Sequence, residues 1–264
     1  MLLRLVVFLI LLFLIGPVVI IVLFSFHESQ SLSFPFTGFS LRWYSELLSN
    51  DQLLGAIWFS FKVALLTSII TMVIGTAASL AWLRLERRGR TILELACIIP
   101  IALPALFLGV SLLVGFSQAR IQLSIWTIVI AHTLLTVPMV MVAMRARLAL
   151  FDPALEEAAR DLGASTIGTF RRVTIPLMAP TLVATGILAF ALSFDEFIVT
   201  SFVSGTETTL PMFIWSMMRR TVTPVINAVS GLALAITVGL LVVAWLIAVR
   251  RRSTANALAN TDLD

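Results

Sequence analysis

Long runs of uncharged, apolar residues constrain the fold of this chain more than any other feature. Crossing the hydrocarbon core of a bilayer, roughly 30 Å thick, takes about 20 residues of α-helix. Five such runs are uncharged, and a sixth, Leu177 to Val203, contains Asp195 and Glu196. We predict the sixth run as one helix, because two half-spans would place the next basic segment on the wrong side of the membrane. The chain is thus expected to be an all-α membrane protein with six transmembrane helices. The five uncharged runs are Leu5 to Phe26, Val63 to Leu83, Leu95 to Ala119, Ile121 to Met144 and Thr221 to Val249.

Composition supports the same class of protein. The chain is 59% hydrophobic and 12% charged, whereas soluble domains carry roughly 25% charged residues. Its one cysteine, Cys97, excludes an internal disulfide and a cysteine-based metal cluster. His27 and His132 are too far apart in sequence to be a metal-ligand pair on one helix. We therefore expect no metal site in this chain.

The motifs do not support enzyme chemistry. A nucleotide-binding P-loop needs the lysine of G-x-x-x-x-G-K-[ST], and the only lysine, Lys62, lies in FSFKVAL. There is no H-E-x-x-H, and Asp195 is the only aspartate within an apolar run, which disfavours zinc-dependent and paired-aspartate intramembrane proteolysis. The sequence predicts a non-enzyme with no catalytic residues and no cofactor of its own.

The basic residues predict which helix ends face the cytoplasm. They lie at the ends of apolar runs and form no patch, so membrane lipid is expected as a partner and nucleic acid is not. With the N-terminus inside, 13 of the 18 basic residues are cytoplasmic. This asymmetry predicts that both termini and the loop after the fourth span are cytoplasmic. The five basic residues outside are Arg42, Lys62, Arg120, Arg219 and Arg220.

These predictions divide the chain into three segments. Residues 1–56 comprise the first transmembrane helix and an outside segment, 57–249 form a membrane core with a cytoplasmic loop at 145–176, and 250–264 form a basic cytoplasmic tail. The first apolar run is expected to be retained as a helix, because its 22 residues exceed the roughly 7 to 15 of a signal-peptide core.

The outside segment contains an amphipathic stretch, SLRWYSELLSN. Ser40 is a predicted N-cap for a short helix at the membrane interface. Two functions stay open for this helix: docking of an external binding protein, or anchoring of its Trp and Tyr rings at the interface. Its predicted apolar face consists of Leu41, Tyr44, Leu47 and Leu48.

Prolines and glycines interrupt the third and fourth spans. In lipid, the backbone groups they leave unpaired are tolerated where neighbouring helices or water satisfy them. We therefore expect these residues to face protein or a pathway, and we expect His132 to bond to a neighbouring helix. Glu94 is expected to pair locally with an arginine between Arg84 and Arg90. The interrupting residues are Pro100, Pro104, Pro138, Gly109 and Gly115.

The longest charged segment runs from Asp152 to Pro180. Asp152 can cap a helix that starts at Pro153, and Gly163 can end it. A second helical turn is predicted from Ser165 through Arg172. The first helix has one small apolar stripe, formed by Leu155, Ala158, Ala159 and Leu162 at i, i+3, i+4 and i+7.

This segment resembles the EAA loop of the permeases of binding-protein-dependent ABC importers. The family usually has Ile and Leu where this chain has Val173 and Ile175. An ordinary cytoplasmic helical hairpin is the alternative on spacing alone. The residues that match are Glu157, Ala158, Ala159, Gly163, Val173, Ile175 and Pro176.

The resemblance implies a type I importer permease fold in a bacterial inner membrane. It implies that the loop is a coupling helix that docks on a separate ATP-binding cassette ATPase, present in two copies and holding ATP and magnesium. It also implies a second related permease and a periplasmic or lipid-anchored substrate-binding protein. The residues to which the resemblance assigns coupling are Leu155, Glu157, Ala158, Ala159, Leu162 and Gly163.

The stretch LSFDEFIVTSFVSGTETTLPMFIW resembles the permeases that import spermidine and putrescine, which carry an S-x-D-[DE] pattern in the fifth span. Ser193, Asp195 and Glu196 fit that pattern, which implies that they bind a small cationic solute. Three alternatives stay open: another small nitrogenous solute, iron, or an ion-coupled secondary carrier. No internal repeat of the kind expected in a carrier is found.

Placing Asp195 and Glu196 in a membrane is unfavourable, with a free energy of about 2.5 to 3.5 kcal/mol each near a helix centre. Such residues are functional candidates by default. On a continuous helix, Glu196 shares its face with Ala189, Ser193 and Thr200, so it is predicted to face the pathway. Asp195 shares its face with the more apolar Leu188, Leu192, Ile198 and Phe202. The alternative is that both acids only pair with Arg219 or Arg220.

Overall fold

The computed structural model describes residues 2–29, 36, 38–220, 225–239 and 242, which form helices and no β-strand. The helices are α1 Leu2–Ser25, α2 Arg42–Leu48, α3 Asp51–Arg84, α4 Arg87–Ala102, α5 Ala105–Gln118, α6 Ile125–Leu148, α7 Ala154–Asp161, α8 Thr166–Thr169, α9 Ile175–Asp195, α10 Ile198–Val203, α11 Leu210–Arg220 and α12 Val225–Gly239, with a π-helical turn at Phe170–Thr174 between α8 and α9. The chain divides into two units, Met1–Ser60 with Thr208–Gly239 and Phe61–Glu207 with Leu240–Asp264.

Several helices are long and apolar enough to cross a membrane, as the sequence predicts. Within the described residues four qualify alone, and a fifth span results if α4 and α5 are taken together. The predicted run Thr221 to Val249 lies partly outside the described residues, and its described part contains α12. A count of six and the sidedness of the termini remain predictions, as does the basic tail, which lies outside the described residues. The four helices are Leu3–Ser25, Asp51–Arg84, Ile125–Leu148 and Thr166–Asp195.

The third predicted span is broken, so the prediction of one helix from Leu95 to Ala119 is wrong. Helices α4 and α5 meet at an angle of 107°. Leu103 is extended (φ −78°, ψ 136°) and Pro104 follows with the same ψ. Proline disfavours the helical conformation in the residue before it and has no N–H to donate, which explains why the helix ends there.

The fifth predicted span is also broken, so the prediction of one helix from Leu177 to Val203 is wrong. Helix α9 ends at Asp195, Glu196 is extended (φ −70°, ψ 121°), and α10 begins after Phe197. At its other end α9 is longer than predicted, because the helix continues back through the π-helical turn to Thr166.

The second unit packs around α6, the most extensively buried of its long helices. Helix α6 contacts α4, α5, α9 and α10, and a side-chain hydroxyl also links it to α3, Thr136 to Thr71 at 2.7 Å. These contacts place the middle of α6 beside the break between α9 and α10. The apolar cluster consists of Val140, Met144, Leu148, Met178 and Ala189, with Leu80 and Leu182 against it.

In the first unit, the short helix α2 forms where the sequence predicts but buries a different face. Trp43 and Leu47 are buried, one turn apart, while Leu41 and Leu48 are exposed. The indole Nε1 of Trp43 donates to the carbonyl of His27 at 2.7 Å. The predicted face is therefore wrong at Leu41 and Leu48, whereas Leu47 is buried and Tyr44 is partly buried. Trp43 is an internal packing residue rather than an interface anchor.

Candidate functional site

The two carboxylates predicted to contact substrate lie at the break between α9 and α10. Asp195 ends α9 and is exposed, whereas Glu196 is half-buried. Oε1 of Glu196 accepts the backbone N–H of Val199 at 2.9 Å, and the Glu196 carbonyl accepts the hydroxyl of Thr200 at 2.9 Å. Glu196 thereby satisfies backbone and side-chain groups at the start of α10. Among the described residues its second oxygen, Oε2, accepts no hydrogen bond.

His132 bridges to both sides of this break from α6. Its Nδ1 lies 2.7 Å from Oγ of Ser193 on α9, and its Nε2 lies 2.8 Å from Oγ1 of Thr200 on α10. The imidazole is 1% exposed. The expectation that His132 bonds to a neighbouring helix is confirmed, and it does so to two helices at once.

A cavity of about 290 Å³ opens beside these residues. Its polar lining is provided by His132, Thr136, Ser193 and Glu196, and the rest of the lining is apolar. Three of the apolar residues flank the break between α4 and α5, so that break borders the cavity. The apolar lining consists of Ile101, Leu103, Ala105, Leu135, Met139 and Leu192.

The structure brings together two of the three predicted substrate residues. Ser193 and Glu196 line the cavity, and Asp195 is not among its lining residues. The argument from helical faces assumed a continuous helix and does not apply beyond Asp195, because the chain leaves the helix at Glu196. Substrate binding by these residues remains a prediction.

Sequence reasoning missed His132 and Thr136 as cavity residues. Thr136 donates to the carbonyl of His132 at 2.8 Å, one turn back on α6. The i, i+4 spacing of two polar residues in an apolar span is the signal that could have found them.

Arg219 is one of the two arginines that the sequence offers as alternative partners for Asp195 and Glu196. Its guanidinium carbon lies over the Trp215 ring, 6.0 Å from the ring centroid.

The charged segment that begins at Asp152 forms the predicted helix, elbow and helix. The Asp152 carboxylate accepts the N–H of Ala154 at 3.0 Å as α7 begins. After α7, Gly163 has φ +85°, and the N–H groups of Gly163 and Ala164 reach the carbonyls of Arg160 and Ala159 at 2.9 and 3.0 Å. This pair of bonds is a Schellman motif, which requires a left-handed residue at the Gly163 position. The prediction that Gly163 ends the first helix is confirmed.

The stripe of α7 has no cover among the described residues. Leu155 is 47% exposed and Leu162 is 90% exposed. Glu157 and Ala158 are also exposed, and Ala159 is partly buried. An apolar stripe left open on a short helix is consistent with a partner, but the assignment of these residues to coupling remains a prediction.

Glu156 connects α7 to the base of α9. The hydroxyl of Thr174 donates to Oε1 of Glu156 at 2.7 Å, and Arg160 lies 3.7 Å from the other oxygen. Ser165 caps α8 by accepting the N–H of Gly168 at 3.2 Å. Because α8 continues through the π-helical turn into α9, the second helical part of the loop and Asp195 lie on one 30-residue helix, Thr166–Asp195, and Glu196 follows it directly.

Comparison with known proteins identifies the family. Residues 72–254 match the family described as binding-protein-dependent transport system inner membrane component. The chain is 34% identical over 233 residues to the spermidine/putrescine transport system permease protein PotC of Escherichia coli (strain K12), covering 88% of each chain. It is also 34% identical over 250 residues to the putrescine transport system permease protein PotI of the same strain, covering 90% of this chain and 87% of PotI.

Solved structures of low identity share the fold. A bacterial ABC transporter involved in the import of the acidic polysaccharide alginate superimposes with a TM-score of 0.70 at 12% identity, covering 93% of this chain and 92% of that chain. A bacterial alginate ABC transporter in complex with an alginate pentasaccharide-bound periplasmic protein superimposes with a TM-score of 0.66 at 14% identity, covering 94% of this chain and 91% of that chain. The likeness shows the type I importer permease fold. The chain therefore belongs to the binding-protein-dependent transport system inner membrane components, and is a multi-pass permease subunit of an ABC importer.

Proposed function

We propose that this permease imports a small aliphatic cation, a polyamine such as putrescine or spermidine, and that Glu196 binds one of its ammonium groups. The observation that carries the proposal is the carboxylate of Glu196 in a cavity whose remaining walls are mostly apolar. A polyamine pairs charged ammonium groups with methylene segments, and such a cavity offers both a carboxylate and an apolar wall.

The polar atoms of the cavity suit an ammonium donor. Oε1 of Glu196 is occupied by the N–H of Val199, which leaves Oε2 to accept from a substrate. Ser193 lies beside it in the same lining. An ammonium group has donors only, so acceptors of this kind are what it needs.

The relatives named above support the same substrate class. PotC and PotI carry names that refer to spermidine with putrescine and to putrescine alone. Iron is less well supported, because a metal ion takes several ligands and no group of three His, Cys, Asp or Glu that could hold one occurs in the described part of the chain. The ion-coupled carrier is set aside by membership of the importer family.

Uptake of labelled putrescine or spermidine at matched membrane abundance tests the proposal. Glu196→Gln should raise the apparent KM about tenfold or more, since a hydrogen bond to a charged group contributes about 1.5 to 3 kcal/mol. Asp195→Asn, at the neighbouring but exposed position, should raise it less. An unchanged KM in Glu196→Gln, or a wild-type preference for an anionic solute, would overturn the proposal.

We further propose that the chain forms half of the pathway in a bacterial inner membrane, beside a second related permease. An external binding protein delivers the solute, and of the two ATPase subunits that hold ATP and magnesium, one docks on α7 of this chain. The family description and the open stripe of α7 support this arrangement. The mass of the purified complex tests this arrangement. Transport by this chain alone in proteoliposomes would contradict it.

A further inference from the structure

His132 is buried inside the membrane core without a charged partner in the described residues, yet both of its ring nitrogens are bonded. It joins Ser193, the third residue before the break, to Thr200, the fourth residue after Glu196. These two bonds fasten the end of α9 and the start of α10 to the same side chain of α6.

The direction of each bond follows from counting hydrogens. Thr200 has one hydroxyl hydrogen, and it is donated to the carbonyl of Glu196 at 2.9 Å. Thr200 must therefore accept from His132, which places a hydrogen on Nε2. A neutral imidazole then has a lone pair on Nδ1, so Ser193 donates to it.

These hydrogen-bond directions determine which acceptor atoms face the cavity. Since the hydrogen of Ser193 is directed at His132, the remaining lone pairs of its oxygen are what Ser193 can offer a cation. Thr200, held by Nε2, keeps the Glu196 carbonyl fixed, and Val199 in the same turn donates to the Glu196 carboxylate at 2.9 Å. The position of the carboxylate thus depends on how the first turn of α10 is held.

We infer that His132 is a positioning residue for cation binding: through Thr200 it holds Glu196, and through Ser193 it presents an acceptor oxygen beside the carboxylate. This inference rests on the proposed function, because it assigns His132 a role only if Glu196 binds the cation. His132 itself supplies no charge, which suits a site that must attract an ammonium group.

Thr200 gives the sharpest test, since Thr200→Val is nearly isosteric and removes only the hydroxyl. Labelled putrescine uptake is measured at matched membrane abundance, with KM and maximal rate separated. Thr200→Val should raise the apparent KM about three- to tenfold with a smaller change in maximal rate, because both hydrogen bonds of the hydroxyl are lost, the one from His132 and the one to the Glu196 carbonyl. Thr200→Ser keeps the hydroxyl and should restore most of the apparent affinity.

Combining the substitutions distinguishes positioning from general damage. If Thr200 acts through Glu196, Thr200→Val should add little to the KM of Glu196→Gln, so the two effects are not additive. The inference is overturned if the two substitutions multiply each other's effect on KM in the double variant. It is also overturned if Thr200→Val alone leaves KM unchanged or lowers only the maximal rate. If Glu196→Gln alone leaves KM unchanged, the proposed function fails instead.

The histidine is tested directly with a conservative pair. His132→Gln keeps an N–H that can reach Thr200, whereas His132→Leu keeps neither bond. The KM of His132→Gln should therefore lie between those of wild type and His132→Leu, and equal KM values in the two variants contradict the inference. Should the leucine variant fail to assemble, the Thr200 pair decides, because that side chain changes by a single polar atom.

Discussion

Nη1 of Arg145 donates to Oε1 of Glu94 at 2.6 Å, an ion pair that ties α6 to α4. The same carboxylate oxygen accepts the indole N–H of Trp82 on α3 at 2.8 Å. The Arg145 guanidinium carbon lies 3.7 Å from the centroid of the Trp82 ring. Three helices therefore meet in one polar cluster at the helix ends that the sequence predicts to be cytoplasmic. The expectation that Glu94 pairs locally with Arg84 to Arg90 is wrong, because Arg145 reaches it from α6.

Arg145→Lys should destabilise the protein although the charge is kept. An ammonium group cannot stack on the indole as a guanidinium does, so the loss should be about 1 kcal/mol. The measurement is the thermal unfolding midpoint in detergent. Arg88→Lys, at an exposed arginine of α4, is the matched control, and equal midpoints for the two variants would count against the cluster.

Gly163→Val should uncouple transport from ATP hydrolysis while leaving the chain in the membrane. The residue has φ +85°, and a Cβ built there has nothing within 4 Å, so the cost of valine, about 1 to 2 kcal/mol, comes from the backbone and not from a clash. Loss of the Schellman bonds should change how α7 is presented to an ATPase.

Substrate-stimulated ATPase activity of the assembled complex is the readout for Gly163. Gly163→Asn is the control, because asparagine tolerates the left-handed region better than valine. Wild-type stimulation in a normally assembled Gly163→Val complex would show that the elbow has no part in docking.

Thr174→Val should lower the maximal transport rate without changing the apparent KM. It removes the hydroxyl that donates to Glu156 at 2.7 Å and so loosens α7 from the base of α9, at about 1 kcal/mol for a partly exposed bond. Thr174→Ser retains the donor and serves as its comparison. Transport measured at saturating substrate distinguishes them, and a shift in KM with an unchanged maximal rate would contradict this role.

How far the sequence predicts the structure depends on whether the deciding contact is local. The cap at Asp152 and the elbow at Gly163 involve neighbours in the chain, and both were predicted. The break after Asp195 was not predicted, and the contact that spans it comes from another element: His132 of α6 bonds to Ser193 and Thr200 on its two sides. Apolar periodicity carries no information about such a bond.

The break at Pro104 shows a second limit. The proline was recognised as an interruption of the third span, but its kink was expected within a continuous helix. Whether a proline bends or ends a helix depends on what satisfies the freed backbone groups, and those partners come from other elements. The prediction of the buried face of α2 was partly wrong for the same reason. Trp43 is buried because its indole N–H bonds to the carbonyl of His27, which lies outside α2.

Gly109 on α5 lies close against α10, where an added side chain would meet Phe202 and Val199. A Cβ built there would lie 2.6 Å from the Phe202 ring and 3.4 Å from the Cα of Val199. Gly109→Ala should therefore push α10 away from α5, costing about 1 to 3 kcal/mol as overpacking does. Because α10 carries Thr200 and its first turn holds Glu196, the displacement should also raise the apparent KM for putrescine.

Gly115→Ala on the same helix is the matched control for Gly109→Ala. Gly115 is exposed and has nothing within 4 Å of its built Cβ, so alanine should be neutral or stabilise the helix by up to about 1 kcal/mol. Unfolding midpoints in detergent and uptake at matched abundance are measured for both. A lowered midpoint with unchanged KM in Gly109→Ala would mean that α10 can move without disturbing Glu196, which would separate packing at this contact from cation binding.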